Sequence, residues 1–137
     1  VRTSWVCGEH GHNMVKTVLS LADRPSLAFV DDQRGCPSFT ADLAVAIRRL
    51  AAARLPGTFH VTNQGAVSWY EFVRTILSAA GHDPAKVRPI ATADLDPPRP
   101  APRPANSVLE NAALRLAGLP LLPPYEDSLA KLLSALA

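Results

Sequence analysis

The sequence predicts a mixed α/β fold, which would be described as α+β if the chain were taken alone. Short β-branched and aromatic runs alternate with longer stretches of helical periodicity. Turns rich in glycine, proline and asparagine separate these stretches. The chain has 137 residues, of which 47% are hydrophobic and 19% are charged, and these are the values of a globular domain with a real core.

The first half of the chain predicts a strand, a helix, a second strand and a second helix. Residues 1–6 have the composition of a strand, and Asn13 is a suitable cap for a helix that ends before Pro25. Residues 27–30 form the next predicted strand. Thr40 is the expected N-cap of the second helix, with Asp42 near its positive end. Helical spacing predicts the buried stripe of that helix as Leu43, Ala44, Ile47, Leu50 and Ala51.

The second half carries the clearest local signal, a capping box formed by Ser68 and Glu71. It predicts a helix over residues 69–80, closed by Gly81 in a left-handed conformation. A short strand is expected at residues 58–62 before it, and an edge strand at 87–90 after it, because Pro89 cannot donate to an interior ladder. Residues 96–103 are proline-rich and extended, either a linker or a strap against the body. Two further helices are predicted, at 111–117 and after Pro123-Pro124.

Composition narrows the classes of partner. The net charge is only +2 and the arginines are scattered, so nucleic acid is not expected, whereas small phosphate-bearing ligands fit. Two cysteines are too few for a disulfide framework and no apolar run is long enough to cross a bilayer, so we expect a cytoplasmic protein without membrane contact.

The chain opens with an apolar run and no methionine, which suggests that residue 1 lies inside a larger protein.

The loop after the predicted strand 27–30 is the first candidate site, because loops between rigid elements often display binding groups. Asp31 and Asp32 are adjacent on an extended chain and point in opposite directions, which favours structural roles over a shared acid–base mechanism. Trp5, at a strand end before a glycine turn, is equally compatible with a core and a half-exposed position.

Other chemistry-bearing patterns are weak. The spacing of Cys7, His10, His12 and Cys36 matches known zinc sites poorly, so no metal site is expected. The chain contains no glycine-rich phosphate loop and no Tyr-x-x-x-Lys sequence. Pattern alone therefore indicates a binding surface and no catalytic residues.

Seven blocks, in one order along the chain, carry a family resemblance. They are Arg2 to Val6 with Gly8, Asn13 to Thr17, Val30 to Gln33 with Gly35, Pro37 to Ala44, Phe59 to Asn63 with Gly65, Ser68 to Phe72, and Arg103 to Leu109. Together they resemble the C-terminal half of the dTDP-4-dehydrorhamnose reductases, which are extended short-chain dehydrogenases/reductases. The resemblance implies the last part of a Rossmann-type sheet with its small substrate-binding lobe, as a single region over residues 1–137.

The resemblance also implies a function and a set of site residues. These enzymes reduce dTDP-6-deoxy-L-lyxo-4-hexulose with NADPH to dTDP-L-rhamnose, which is used for cell-surface polysaccharide. By resemblance, Trp5 would lie against the hexose, Asn13 and Gln33 near the diphosphate or its loops, and Arg103 on a phosphate oxygen. Ser4 and Cys7 would border the nicotinamide. The resemblance leaves Mg²⁺ and a homodimer open.

The departures from the family pattern are also informative. Cys7 stands where relatives commonly have an aromatic residue. The glycine-rich dinucleotide turn and the catalytic Tyr-x-x-x-Lys pair would lie N-terminal to Val1, so no catalytic residue is expected in this chain, and the chain alone should be inactive. The alternative is a non-catalytic regulatory or interaction subunit of the same fold, like the regulatory subunit of methionine adenosyltransferase.

Overall fold

The computed structural model describes residues 1–98 and 100–137; Arg99, within the stretch predicted to be extended, lies outside the described residues. The strands are β1 (Val6–Cys7), β2 (Leu27–Val30), β3 (Arg34–Gly35), β4 (Ser38–Phe39), β5 (Val67–Ser68) and β6 (Val87–Ile90). The helices are α1 (Met14–Ser20), α2 (Thr40–Ala53), α3 (Trp69–Ala79), α4 (Ala112–Leu116) and α5 (Tyr125–Leu136). The predicted mixture of helices and strands is confirmed.

Within residues 1–98 and 100–137, the strands pair in three two-stranded sheets. β1 runs parallel to β4, and β2 runs parallel to β6 over the whole length of both strands. β3 and β5 are antiparallel, with Arg34 opposite Ser68 and Gly35 opposite Val67. This last ladder brings the loop after β2 to the start of α3, and it therefore shapes the cavity described below.

Local sequence signals correctly predicted the helix starts of α1 and α3. The Asn13 side chain accepts a hydrogen bond from the backbone N–H of Lys16 at 3.4 Å. Ser68 and Glu71 form the predicted reciprocal capping box at the start of α3, and Gly81 after the helix has φ +79°. Each signal lies within a few residues of the feature it predicts, so little tertiary context was needed.

Helix α3 is the centre of the main core. Four of its side chains, Phe72, Val73, Ile76 and Leu77, are fully inaccessible to solvent. They pack with α1, the β2–β6 pair and α5, which contribute Val15, Val18, Leu27, Val87 and Leu129. A second, smaller apolar cluster joins α2 to α4 through Leu43, Leu50, Val61 and Leu114.

The strand predicted over residues 1–6 is shorter than expected. Trp5 has φ +44°, outside the extended region, so the strand begins only at Val6. Residues 58–62 are likewise not a strand; His60 forms an isolated bridge to Arg2, flanked by two backbone hydrogen bonds of 2.8 and 2.9 Å. The two segments lie side by side as extended chain, a pairing that was not predicted, and the left-handed conformation of Trp5 ends the extended run after the single bridge.

For α2, the predicted N-cap was wrong and the predicted buried stripe was right only at Leu43 and Leu50. The helix begins at Thr40 itself and Phe39 is its N-cap, without a side-chain hydrogen bond, so Thr40 does not cap it. The buried stripe is Leu43, Ala46 and Leu50, while Ala44, Ile47 and Ala51 are exposed. The helix contacts its cluster along the i, i+3, i+7 line, and the neighbouring line of apolar residues faces outward.

Candidate functional site

A cavity of about 230 Å³ lies where four distant segments of the chain meet. It is lined by Ser4, Trp5, Gln33, Trp69, Arg103, Pro104 and Ser107. Three of the four residues predicted to bind substrate, Trp5, Gln33 and Arg103, therefore share one cavity. An aromatic wall, an amide and a guanidinium form a surface suited to a ligand that has both a ring and a charged group.

The aromatic wall consists of two stacked indoles. The Trp5 and Trp69 ring centroids are 3.6 Å apart and the planes differ by 10°. Both side chains are half-buried, which for Trp5 settles the question left open by the sequence in favour of partial exposure. Phe72 supports both rings from α3, with centroids 6.3 and 6.4 Å away.

Gly35 gives Trp5 the space that it occupies. A Cβ built on Gly35 would lie 2.5 Å from the indole Nε1 and 2.7 Å from Cζ2. Any larger residue would overlap the ring, so Trp5 packs directly on the backbone of β3. The close approach explains why glycine occupies this position.

The loop carboxylates hold the cavity wall in place. Asp32 accepts hydrogen bonds from the Thr92 backbone N–H at 2.8 Å and from its hydroxyl at 2.6 Å, and these bonds lower the pKa of Asp32. Asp31 accepts from the Ser68 hydroxyl on the other side of the chain. The prediction of structural roles for the two carboxylates is confirmed. Gln33, the next residue after the two carboxylates, is buried and lines the cavity. Its amide donates to Thr92 Oγ1 at 2.8 Å.

The segment after the proline-rich stretch is held against the body as a strap. Arg34 donates its backbone N–H to the Ala105 carbonyl at 2.8 Å, and its own carbonyl accepts from the Ser107 N–H, also at 2.8 Å. This anchorage places Arg103 at the cavity edge, where it is exposed. The two ion pairs among the described residues are Arg34–Glu71 and Arg115–Glu110, and Arg103 belongs to neither.

The other predicted site residues lie elsewhere. Asn13 is engaged as the cap of α1, and its amide donates to the Gly8 carbonyl at 2.8 Å; it does not line the cavity. Ser4 lines the cavity, but Cys7 lines a second cavity of about 380 Å³ between β1, α2 and α5. The two residues that were expected near a nicotinamide therefore line different cavities.

The two cysteines are free and buried. Burial raises the pKa of the Cys7 thiol to about 11, so Cys7 is protonated and unreactive at neutral pH. Since its folded-state pKa is above its ordinary value of 9.0, its contribution to stability is complete below pH 9 and is lost as the pH rises towards 11.

Two features are absent from residues 1–98 and 100–137. No group of three or more His, Cys, Asp or Glu side chains in this part of the chain is placed to hold a metal ion. No helix in the same part of the chain is long and apolar enough to cross a bilayer.

Sequence reasoning missed Trp69, Pro104 and Ser107 as cavity residues. Trp69 was correctly predicted as the first residue of α3, but Trp5, which it stacks against, is 64 positions away in the chain. Only the β3–β5 ladder brings the start of α3 to Trp5. A tryptophan directly after the capping residue Ser68 was the available signal.

The fold combines helices and short strands, and its cavity has a lining suited to a ligand with a ring and a charged group. The chain belongs to the RmlD substrate binding domain family, whose model matches residues 1–137. It is 40% identical to the dTDP-4-dehydrorhamnose reductase of Streptomyces griseus over 142 residues, which cover 99% of this chain and 46% of that protein. It is also 42% identical to the spore coat polysaccharide biosynthesis protein SpsK of Bacillus subtilis over 120 residues, covering 87% of this chain and 41% of the relative.

Solved structures agree with the family assignment. The dTDP-4-dehydrorhamnose reductase of Bacillus anthracis, solved in complex with NADP, matches with a TM-score of 0.89 and 39% identity over 96% of this chain and 46% of that one. The orthologue from Clostridium acetobutylicum matches with a TM-score of 0.92 and 38% identity over 98% and 47% of the two chains. The predicted fold class is confirmed, and the chain spans less than half the length of these relatives.

Proposed function

We propose that this chain is the sugar-nucleotide-binding portion of an NADPH-dependent reductase that converts dTDP-6-deoxy-L-lyxo-4-hexulose to dTDP-L-rhamnose in the cytoplasm. The observation that carries the proposal is the cavity in which Trp5, Gln33 and Arg103 converge from three distant segments. The names of the relatives, which include dTDP-4-dehydrorhamnose reductases, support the class of ligand.

Each of the four predicted substrate-binding residues has a part in this proposal. The indole of Trp5 packs against the hexose, because sugar C–H groups and aromatic rings share apolar surface. Arg103 is exposed at the cavity edge, outside the two described ion pairs, and pairs with a phosphate oxygen through charge-assisted hydrogen bonds. Gln33 orients the ligand through its amide group. Asn13 lies outside the cavity, and its part is indirect: its amide donates to the Gly8 carbonyl and so holds the loop that follows β1.

The cofactor is assigned mainly to a part of the protein that precedes Val1. The chain lacks the glycine-rich turn that approaches a dinucleotide pyrophosphate, so its own residues do not form a cradle for NADPH. NADPH, when bound, supplies the hydride. Ser4 and Cys7 are proposed to border the nicotinamide region, and the Tyr-x-x-x-Lys pair is proposed to lie with the cofactor.

A thermal-shift experiment tests the proposed ligand on this chain. A ligand that binds only the folded state stabilises it, by about 2.7 kcal/mol at a hundredfold excess over Kd, so dTDP-glucose is expected to raise the Tm. Arg103→Ala should reduce that shift, since a hydrogen bond to a charged group contributes roughly 1.5–3 kcal/mol. Arg48→Ala is the matched control, because Arg48 is an exposed arginine on α2 away from the cavity and its loss should leave the shift unchanged. The absence of any shift in the unmodified chain would contradict the proposal.

The chain alone is also expected not to oxidise NADPH when it is mixed with the keto sugar nucleotide. Its residues bind and orient a sugar but provide no Tyr-x-x-x-Lys pair for proton donation. Measurable NADPH oxidation by this chain would overturn that part of the proposal.

A further inference from the structure

The Trp5–Trp69 stack is closer to face-to-face than aromatic pairs usually are. Such pairs favour offset or edge-to-face arrangements with centroids about 4.5–7 Å apart. Here the centroids are separated by 3.6 Å with an angle of 10°, and Trp5 has φ +44°. An arrangement that departs both from aromatic preference and from ordinary backbone geometry is maintained by its surroundings, and such departures cluster at ligand sites.

Trp69 removes one face of Trp5 from any ligand. The two rings are nearly parallel and in contact, so a sugar ring has no room between them. Gly35 borders Trp5 at its ring fusion, where a Cβ would overlap the indole. Trp5 alone therefore offers only part of its surface, and the remaining aromatic surface of the cavity belongs to Trp69.

The position of Trp69 is fixed by neighbouring structure. It is the first residue of α3, directly after Ser68, whose side chain accepts from the Glu71 N–H at 3.1 Å. Phe72, one helical turn later, is fully buried and contacts both indoles. A side chain placed in this way loses little further freedom when it binds a ligand.

We propose that Trp69 is a second hexose-contacting residue of this cavity, and that the stacked Trp5–Trp69 pair recognises the sugar ring as a unit. This inference rests on the proposed function, because it takes a nucleotide-linked hexose as the ligand. It assigns the hexose to the aromatic pair and the diphosphate to Arg103, which lines the same cavity.

Calorimetric titrations with dTDP-glucose and with dTDP separate the hexose contact from the nucleotide contact. Trp69→Ala is expected to weaken binding of dTDP-glucose on the order of tenfold, and to change binding of dTDP much less. Trp69→Phe, which retains an aromatic ring, should recover part of the loss. Tyr70→Phe is the matched control from the next position, because Tyr70 interacts with Arg74 and does not line the cavity; it should bind within about twofold of wild type.

Circular dichroism supplies a readout that a merely structural role would not move. The chain has two tryptophans, so exciton coupling between indoles reports on this pair alone. We expect dTDP-glucose to change the coupled signal in the wild-type chain and dTDP to change it less. Suppose that the wild-type chain binds dTDP-glucose, that its coupled signal does not change, and that Trp69→Ala binds with the same affinity. This result would overturn the assignment of Trp69 only. Failure of the wild-type chain to bind either compound would overturn the proposed function, and this inference with it.

Discussion

Replacing Gly35 by alanine is expected to lower the affinity for dTDP-glucose by roughly tenfold to a hundredfold, the range that corresponds to overpacking a tight site. The added methyl group would fall within 2.7 Å of the indole Nε1 and Cζ2 of Trp5. Gly35 lies in the β3–β5 ladder and cannot retreat without breaking its pairing with Val67, so Trp5 must move. The cavity would then lose its aromatic wall. Isothermal titration calorimetry measures the effect.

Gly118→Ala is the control for a general cost of replacing glycine. Gly118 has φ +66° and nothing within 4 Å of the added Cβ, so alanine there strains the backbone far from the cavity. This variant should lose stability but keep the wild-type affinity. If Gly35→Ala binds dTDP-glucose like the wild-type chain and keeps the exciton-coupled tryptophan signal, the position of Trp5 does not depend on its contact with Gly35.

Asn63→Ala should lower the free energy of unfolding by about 3 kcal/mol, since it leaves buried polar groups without partners. Asn63 is fully buried, and its side-chain oxygen Oδ1 accepts a hydrogen bond from the Phe39 backbone N–H at 2.9 Å. Its amide donates to Asp42 at 2.8 Å, and to the Pro123 carbonyl and the Ser128 hydroxyl at 3.1 Å each. One side chain thus joins the start of α2 to the start of α5.

Urea denaturation compares Asn63→Ala with Gln64→Ala. The Gln64 side chain is half-buried and makes one long hydrogen bond of 3.4 Å to Thr62, so its loss should cost less than about 1 kcal/mol. Equal destabilisation by the two variants would mean that the buried network around Asn63 contributes no more to stability than the half-buried amide of Gln64.

The sequence was sufficient for several features that are determined within one or two turns of chain. Asn13 caps α1 and Ser68 caps α3 as predicted, and the β2 and β6 bounds agree with the predicted strands. In α2, by contrast, apolar residues lie on two adjacent lines. Composition does not decide which line faces the core, and only the contacts with Val61 and Leu114 select it.

The site was predictable only in part, because its geometry is tertiary. The family resemblance identified Trp5, Gln33 and Arg103, which the structure brings to one cavity, but it did not identify Trp69. The positive φ of Trp5 was also unforeseen, because no local pattern marks a tryptophan for that conformation. Both features depend on β3 and β5 meeting, with Gly35 opposite Val67.

The most direct test of the central claim is a proton–nitrogen NMR titration of this chain with dTDP-glucose. Its two tryptophans give two indole N–H signals, and each can be assigned by comparison with Trp5→Phe and Trp69→Phe. If the cavity binds a sugar nucleotide, both indole signals shift in a saturable manner together with the side-chain amide of Gln33 and the guanidinium of Arg103. If these four groups stay unchanged at saturating ligand, the cavity is not a sugar-nucleotide site.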